Sequence, residues 1–347
     1  MKLRVIHALL TLLLPCMPVE HAQAEDSQAA ITMLYDARFE LHDTGPGHPE
    51  RASRVNAIVE RLKHKASFTP FLCWTAFTPA TRQDVERVHS PAYLDLLETE
   101  QASVKPGQIR PLSTGDTMLS KASLSVAMLA SGAGMAEVDA IMTQQSPVAF
   151  ALVRPPGHHA TRDRGMGFCL INHIAVAARY AQQRYGIQRI LIVDIDVHHG
   201  NGTQDIFYTD DSVFYFSAHQ HPLYPGSGRP SETGAGKGVG FTMNVDIPPG
   251  SNEGRVLQAI QQQLAPAMQQ FRPELVMVSA GLDAHAGDTL GALAYSDAGY
   301  AAIAKAIQSL AAQHAKGRML WMLEGGYVPA NNANAVEAII GTLVGSP

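Results

Sequence analysis

The stretch Ile190-Leu-Ile-Val-Asp194-Ile-Asp196-Val-His198-His199-Gly-Asn201-Gly202 contains the strongest indication of the fold. An apolar run of strand length ends here in a dense cluster of acidic and imidazole groups. Because every second side chain of an extended strand points the same way, Asp194, Asp196 and His198 are predicted to converge. Buried carboxylates are tolerated when they are paired or bind a cation, and an Asp-x-His pair offers metal-ligating atoms. The first hypothesis is a metal site; the plainer alternative is a buried strand and a capping loop, with ordinary hydrogen bonds holding the acids.

Apolar runs alternate with helical segments on both sides of this stretch. We predict strands at residues 31–35, 148–153, 190–195, 212–217, 241–245, 274–279 and 318–323, and helices at 49–63, 120–142, 172–184, 252–271, 297–314 and 334–343. Strands that alternate with helices predict an α/β fold, an open and mostly parallel sheet with helices on both faces. No linker or repeat interrupts the pattern, so we predict a single domain over residues 25–347. Residues 36–49, rich in Gly, Pro, His and Asp, are predicted to form a long surface loop.

Polar groups follow four of the predicted strands. Ligands bind beyond the carboxyl ends of the strands in such sheets, so these groups should share one edge. The four segments are Arg154-Pro-Pro-Gly-His158-His159-Ala, Asp196-Val-His198, Gly281-Leu-Asp283-Ala-His285 and Glu324-Gly-Gly-Tyr327. Each segment alone is a weak signal, but together they predict a site.

Three of these side chains suit a catalytic metal. Asp196, His198 and Asp283 supply the three protein ligands of a zinc site that keeps one position open for water or substrate. Such an ion makes water easier to ionise and polarises a carbonyl.

The neighbouring histidines suit proton transfer. Asp194 and Asn201 are the natural partners for His158 and His159. A carboxylate favours imidazolium and an amide does not, so His158 should be more cationic and His159 the better general base and acid. Tyr327, after two glycines, is placed to donate its hydroxyl to a developing oxyanion.

The chain's N-terminus and charge exclude some functions. Lys2 and Arg4 precede the apolar run 5–14, and His21-Ala-Gln-Ala24 is typical of a signal-peptide cleavage site, so residues 1–24 are predicted to be a signal peptide. A membrane anchor is disfavoured because spanning takes about 20 apolar residues. We therefore expect export, to the periplasm, and no stable membrane insertion. The net charge is −5 and there is no basic patch, which argues against nucleic-acid binding. Removal of residues 1–24 would leave two cysteines, Cys73 and Cys169, and both are predicted to be free thiols in that mature chain.

Six segments resemble those of the zinc-dependent histone deacetylase family, in its class II and bacterial deacetylase-like or acetylpolyamine amidohydrolase branch: residues 154–160, 167–169, 194–202, 224–228, 281–287 and 324–327. The resemblance runs in order from about residue 31 to the end. It implies an arginase/deacetylase-like fold and hydrolysis of an N-acetyl amide to amine and acetate.

The resemblance also implies residue roles. Asp196, His198 and Asp283 match the ligands of one Zn²⁺ per chain, His158 and His159 the paired histidines, and Tyr327 the transition-state tyrosine. Gly167, Phe168 and Tyr224 match the acyl-lysine tunnel, Asn201 the class II pattern, and residues 45–51 the class II entrance loop. Ser217, Asp194, Asp196 and His198 match an inner monovalent-cation site and Phe207, Asp210 and Val213 an outer one, which implies structural K⁺. Asp116 resembles a rim aspartate that holds the substrate backbone; equally, it is a cap for the following helix.

The substrate is less well defined by the resemblance. Polyamine-selective relatives place Glu where this chain has Leu290, and residues 99–116 lack an acidic cluster. Both features favour acetyl-lysine or another acyl amine, on a peptide or a small molecule, and an acetylpolyamine amidohydrolase is the nearest alternative. Two further candidates are a ureohydrolase with two manganese ions and a catalytically silent acyl-amine binding protein. The sequence leaves the oligomeric state open.

Overall fold

The apolar runs form one open parallel sheet. The structure, a computed structural model, describes residues 31–345. The strands are β1 (Ile31–Leu34), β2 (Leu72–Trp74), β3 (Arg110–Pro111), β4 (Met118–Leu119), β5 (Val148–Ala151), β6 (Ile190–Asp194), β7 (Val213–Gln220), β8 (Thr242–Ile247), β9 (Leu275–Ala280) and β10 (Met319–Leu323). Eight of them lie side by side in the order β2-β1-β5-β10-β9-β6-β7-β8, and every neighbouring pair is parallel. A separate antiparallel pair is formed by β3 and β4.

Helices cover both faces of this sheet. Successive residues of β6 alternate between two cores: Leu191 and Val193 pack in one, Ile190 and Ile192 in the other. The helices are α1 (Ser53–His64), α2 (Arg82–Val85), α3 (Pro91–Ser103), α4 (Ser123–Met142), α5 (His173–Tyr185), α6 (Asn201–Phe207), α7 (Gly254–Ala259), α8 (Ala265–Phe271), α9 (Asp297–His314) and α10 (Pro329–Leu343). The first core includes α1, α9 and α10, and the second includes α4 and α5. The predicted α/β architecture is confirmed.

Some local predictions need correction. The single helix predicted over residues 252–271 is α7, a π-helical turn at Ile260–Leu264, and α8. The predicted surface loop at 36–49 contains a 3₁₀ helix, Ala37–Leu41, and its His42 is buried. Cys169 is free and buried, and Cys73 is disulfide-bonded in the full chain, whereas the two free thiols were predicted for the chain that begins at residue 25.

The predicted signal peptide, residues 1–24, lies outside the described residues. Within the described part, α4 alone is long and apolar enough to cross a membrane by length and composition. Most of it is buried, which also suits a core helix packed between the sheet and α5.

Candidate active site

The four polar segments meet because their strands are neighbours. β5, β10, β9 and β6 are consecutive in the sheet and parallel. Asp194, the last residue of β6, lies opposite Ser279 of β9. Leu323, the last residue of β10, lies opposite Ala280. The segments that follow these strands therefore leave the sheet at one edge, in the place expected for a ligand site.

Asp196, His198 and Asp283 lie together at this edge. One potential ligand atom from each lies within 4.8 Å of the others, and all three residues are buried. The Nδ1 atom of His198 lies 3.1 Å from Asp196 Oδ1 and 3.2 Å from Asp283 Oδ2. Backbone amides donate a hydrogen bond to each carboxylate: Gly325 N donates to Asp196 Oδ2 at 2.9 Å, and Val197 N donates to Asp283 Oδ1 at 2.9 Å.

The charges of these three groups fit a bound cation. Burial acts to lower the pKa of His198, but hydrogen bonds and charge from Asp196 and Asp283 raise it to about 10. Burial and the charge of Asp196 raise the pKa of Asp283 to about 7. Two buried carboxylates thus lie against the same imidazole nitrogen, and both are stabilised by positive charge there. Imidazole nitrogen and carboxylate oxygen are donor types that zinc accepts, and three protein ligands leave one position open, so the residues present fit such an ion.

The two neighbouring histidines have different partners. His158 Nδ1 lies 3.0 Å from Asp194 Oδ2, which also accepts from Tyr215 Oη at 3.0 Å. His159 Nδ1 lies 2.8 Å from Asn201 Oδ1. An amide oxygen only accepts, so Nδ1 of His159 carries the hydrogen and its Nε2 keeps a free lone pair.

These partners shift the two pKa values in opposite directions. Burial acts to lower the pKa of His158, but the charges of Asp196 and Asp194 raise it well above the usual value. Burial, together with the charges of His158 and His198, lowers the pKa of His159 well below the usual value. The surroundings therefore favour a proton on His158 over one on His159.

A pocket of about 240 Å³ opens onto this centre. It is lined by Asp116, His159, Gly167, Phe168, His198, Leu223, Tyr224, Leu290 and Tyr327. Leu223 is the one lining residue that was not predicted from the sequence, although it precedes Tyr224. His158, Asp194, Asp196, Asn201 and Asp283 are not among the lining residues.

One wall of the pocket depends on a close backbone approach. Gly167 has φ +56°, and a Cβ there would lie 2.3 Å from the ring of His159. Phe168 also has a positive φ, +68°. Its ring lies edge-on to Tyr327, with 5.9 Å between ring centres, and to His48, at 4.8 Å. His48 belongs to the segment 45–51, so that segment contacts the pocket wall.

Asp116 and Tyr327 are fixed by backbone contacts. Gly167 N donates to Asp116 Oδ1 at 2.7 Å. Asp116 does not cap α4, whose N-cap residue is Ala122. Tyr327 N donates to Asp288 Oδ2 at 2.7 Å, and Tyr327 is 7% exposed. Asp288 was not selected from the sequence.

The residues matched to cation sites have other contacts. Ser217 pairs with Asp194 across β6 and β7, and its Oγ lies 2.8 Å from His219 Nδ1. Asp210 accepts from Ser212 Oγ at 2.6 Å and pairs with Arg179 at 2.6 Å. Phe207 and Val213, on either side of Asp210 in the sequence, are both buried.

Comparisons with known proteins agree with this geometry. A family model described as "Histone deacetylase domain" matches residues 48–343. The chain is 40% identical to "Histone deacetylase 10, chloroplastic" of Oryza sativa subsp. japonica, covering 91% of this chain and 75% of that protein. It is 35% identical to "Histone deacetylase-like amidohydrolase" of Pseudomonas aeruginosa, covering 81% and 72%. The crystal structure of the HDA15 HD domain matches with a TM-score of 0.84 at 35% identity, covering 92% of this chain and 89% of that one.

Proposed function

The chain belongs to the histone deacetylase family, and from this we propose that it hydrolyses the N-acetyl amide of a lysine-like or other primary amine. The observation that carries the proposal is that one pocket is lined by His198 of the metal-ligand set, by His159 of the oppositely shifted histidine pair, and by Tyr327. The products would be the free amine and acetate.

We propose one Zn²⁺ held by Asp196, His198 and Asp283. When bound there, zinc polarises the acyl carbonyl and makes water a stronger nucleophile at neutral pH. Potassium is proposed as a structural cation beside Asp194 and Ser217. A pair of manganese ions would need more ligands, whereas Asp194 and Asn201 are engaged by His158 and His159.

The side chains then divide the proton transfers. His159, with its Nε2 lone pair free, takes a proton from the attacking water and later gives it to the leaving amine nitrogen. His158, paired with Asp194, stays cationic and stabilises negative charge near the acyl carbon. Tyr327 donates a hydrogen bond from its hydroxyl to the oxyanion, and this contact forms fully only in the transition state.

The pocket suits an extended acyl-amine side chain. Phe168 and Tyr224 form aromatic walls, and Leu290 is apolar where a polycation would need a carboxylate. Asp116 is the only carboxylate among the lining residues, and it lies exposed at the rim. These features favour acetyl-lysine in a peptide, or a small acyl amine, over an acetylpolyamine.

Metal analysis and a substrate screen test the proposal. Purified protein, loaded with zinc or manganese, is assayed on acetyl-lysine peptides, acetylated polyamines and longer acyl amides. We expect one zinc per chain and turnover of at least one acetyl amide. Two manganese per chain would contradict it in favour of a ureohydrolase, and binding of acyl amines without turnover would contradict it in favour of a silent binding protein.

Export is proposed separately, from the sequence of residues 1–24. The expected mature protein begins at Glu25 and is recovered outside the cytoplasm. Intact mass of the expressed protein tests this: a retained N-terminus would contradict it.

A further inference from the structure

A buried charge network lies beside Tyr327. It consists of Glu50, Arg54 and Arg154, each at most 1% exposed. Arg154 donates to both carboxylate oxygens of Glu50, from Nε and Nη2, each at 2.8 Å. Arg54 Nη1 donates to Glu50 Oε1 at 3.0 Å. One carboxylate therefore serves two guanidinium groups.

The network holds more positive than negative charge. His42 Nε2 lies 3.5 Å from Glu50, but burial lowers the pKa of His42 to about 4, so it is neutral at pH 7. Glu50 is ionised, because the charge and hydrogen bonds of Arg154 outweigh burial and lower its pKa to about 2. Two guanidinium groups against one carboxylate leave one positive charge in excess within this network. Burying charge is costly, so an excess calls for a partner.

Of the two arginines, Arg54 is the one whose positive charge lies against Tyr327. Its Nε donates to the carbonyl of Gly326 and its Nη2 to the carbonyl of Glu324, on either side of Gly325. Its Cζ lies 4.9 Å from the centre of the Tyr327 ring. Arg154 instead directs its remaining donor to the carbonyls of Phe39 and His42. Of the two guanidinium groups, only that of Arg54 contacts the turn that presents Tyr327.

The contacts of Arg54 matter because of the conformation of the turn at residues 324–327. Gly326 has φ +113°, a conformation that other residues rarely adopt, so the chain reverses sharply just before Tyr327. The turn is held on one side by Asp288, which accepts from Tyr327 N, and on the other by Arg54. A planar guanidinium group that donates to two carbonyls and lies over an aromatic ring fixes the orientation of the turn and of the ring better than an apolar side chain would.

We infer that Arg54, anchored by Glu50, is a positioning residue that fixes the hydroxyl of Tyr327 and places a positive charge behind the developing oxyanion. The inference rests on the proposed role of Tyr327. Arg54 donates no hydrogen bond to a proposed metal ligand, but its charge also acts on Asp283 and Asp288, so zinc content is a necessary control for each variant.

A double-mutant cycle tests the inference. We compare Arg54→Gln, Tyr327→Phe and the double variant on an acetyl-lysine peptide, with zinc content and melting temperature measured for each. Arg54→Gln is expected to lower kcat on the order of 10- to 100-fold and to change KM by less than about threefold, because ground-state binding is untouched. In the Tyr327→Phe background it should change kcat by less than about twofold, since its target hydroxyl is gone.

Two further variants complete the design. Arg54→Lys keeps the charge but loses the fork, so its kcat should lie between those of the wild type and Arg54→Gln. Arg61→Gln is the matched control, because Arg61 lies on the same helix and pairs at the surface with Glu337. It should keep kcat within about twofold of the wild type. If Arg54→Gln does not fold, Arg54→Lys replaces it in the cycle.

The outcomes separate two failures. Equal loss of kcat from the Arg54 change in both backgrounds, or no loss in either, would overturn the inference while leaving the proposed function intact. An inactive wild type, or a Tyr327→Phe variant as active as the wild type, would overturn the proposed function and this inference with it.

Discussion

Replacing Gly325 by alanine should weaken metal binding without changing any ligand. A Cβ at this position would lie 2.1 Å from Asp283 Oδ2 and 2.6 Å from Asp196 Oδ2. The backbone of Gly325 lies outside the left-handed region, so alanine is conformationally acceptable there. The effect of the substitution therefore comes from the new contact alone.

The size of the effect follows from these distances. Ordinary contact with a Cβ begins near 3.4 Å, so the Asp283 oxygen must retreat by about 1 Å. Zinc ligands tolerate deviations of only about 0.2 Å. At least one carboxylate should then no longer reach the ion. We expect metal affinity to fall by about 100-fold or more, which is about 2.7 kcal/mol, and turnover at limiting zinc to fall with it. The overpacked site should also lower the free energy of unfolding of the metal-free protein by about 1–3 kcal/mol.

Competition with a chelator measures the affinity, and turnover is followed against free zinc. Gly341→Ala is the matched control, since its Cβ would meet only Phe68 Cζ at 3.8 Å. It lies inside α10, where alanine is favoured over glycine by up to about 1 kcal/mol, so stability should rise slightly and zinc affinity stay constant. Zinc affinity of Gly325→Ala within threefold of the wild type would refute the reasoning.

Three more measurements follow from the site and the core. Tyr327→Phe should lower kcat by about 10²- to 10³-fold with zinc content unchanged, as judged by kinetics and metal analysis; unchanged turnover would remove the oxyanion role. Leu290→Glu should raise kcat/KM for acetylated polyamines relative to acetyl-lysine peptides, because a carboxylate in the pocket attracts a secondary ammonium; an unchanged ratio would show that residue 290 does not select the substrate. Burial lowers the pKa of His42 and of His89 to about 4 in the folded chain, below the 6.5 of an unfolded histidine. Unfolding therefore takes up protons below pH 6.5, and the free energy of unfolding should fall from pH 6.5 to 4, more steeply than in His89→Gln; equal slopes in urea titrations would contradict this.

The central strands were predictable because they are buried on both faces. The predicted strands at 190–195, 274–279 and 318–323 differ from β6, β9 and β10 by a residue at one or both ends. Continuous apolar runs are the expected pattern for such strands. The edge strand β2, Leu72–Trp74, was missed because it has three residues and is only partly buried, so no run marks it.

Part of the site was predictable for a related reason. Its candidate metal ligands and paired histidines directly follow apolar runs, where polar residues stand out. Arg54 and Asp288 do not, and their importance depends on contacts with residues 326 and 327. A signal for Arg54 was present: it lies on the buried face of α1, beside Val55, Ile58 and Leu62, where a charged residue needs a buried partner. The identity of that partner depends on tertiary structure and could not be predicted.

The difference between the two histidines shows how the fold determines chemistry that sequence alone leaves ambiguous. His158 and His159 are adjacent in the chain, both are buried, and their rings are 4.1 Å apart, so burial alone would lower both pKa values. Their partners differ in position as well as in charge: Asp194 ends β6, while Asn201 begins α6. The turn between that strand and that helix places a carboxylate against one ring and an amide against the other. A proton on His158 then disfavours a second on His159, so the arrangement favours protonation of His158 over His159.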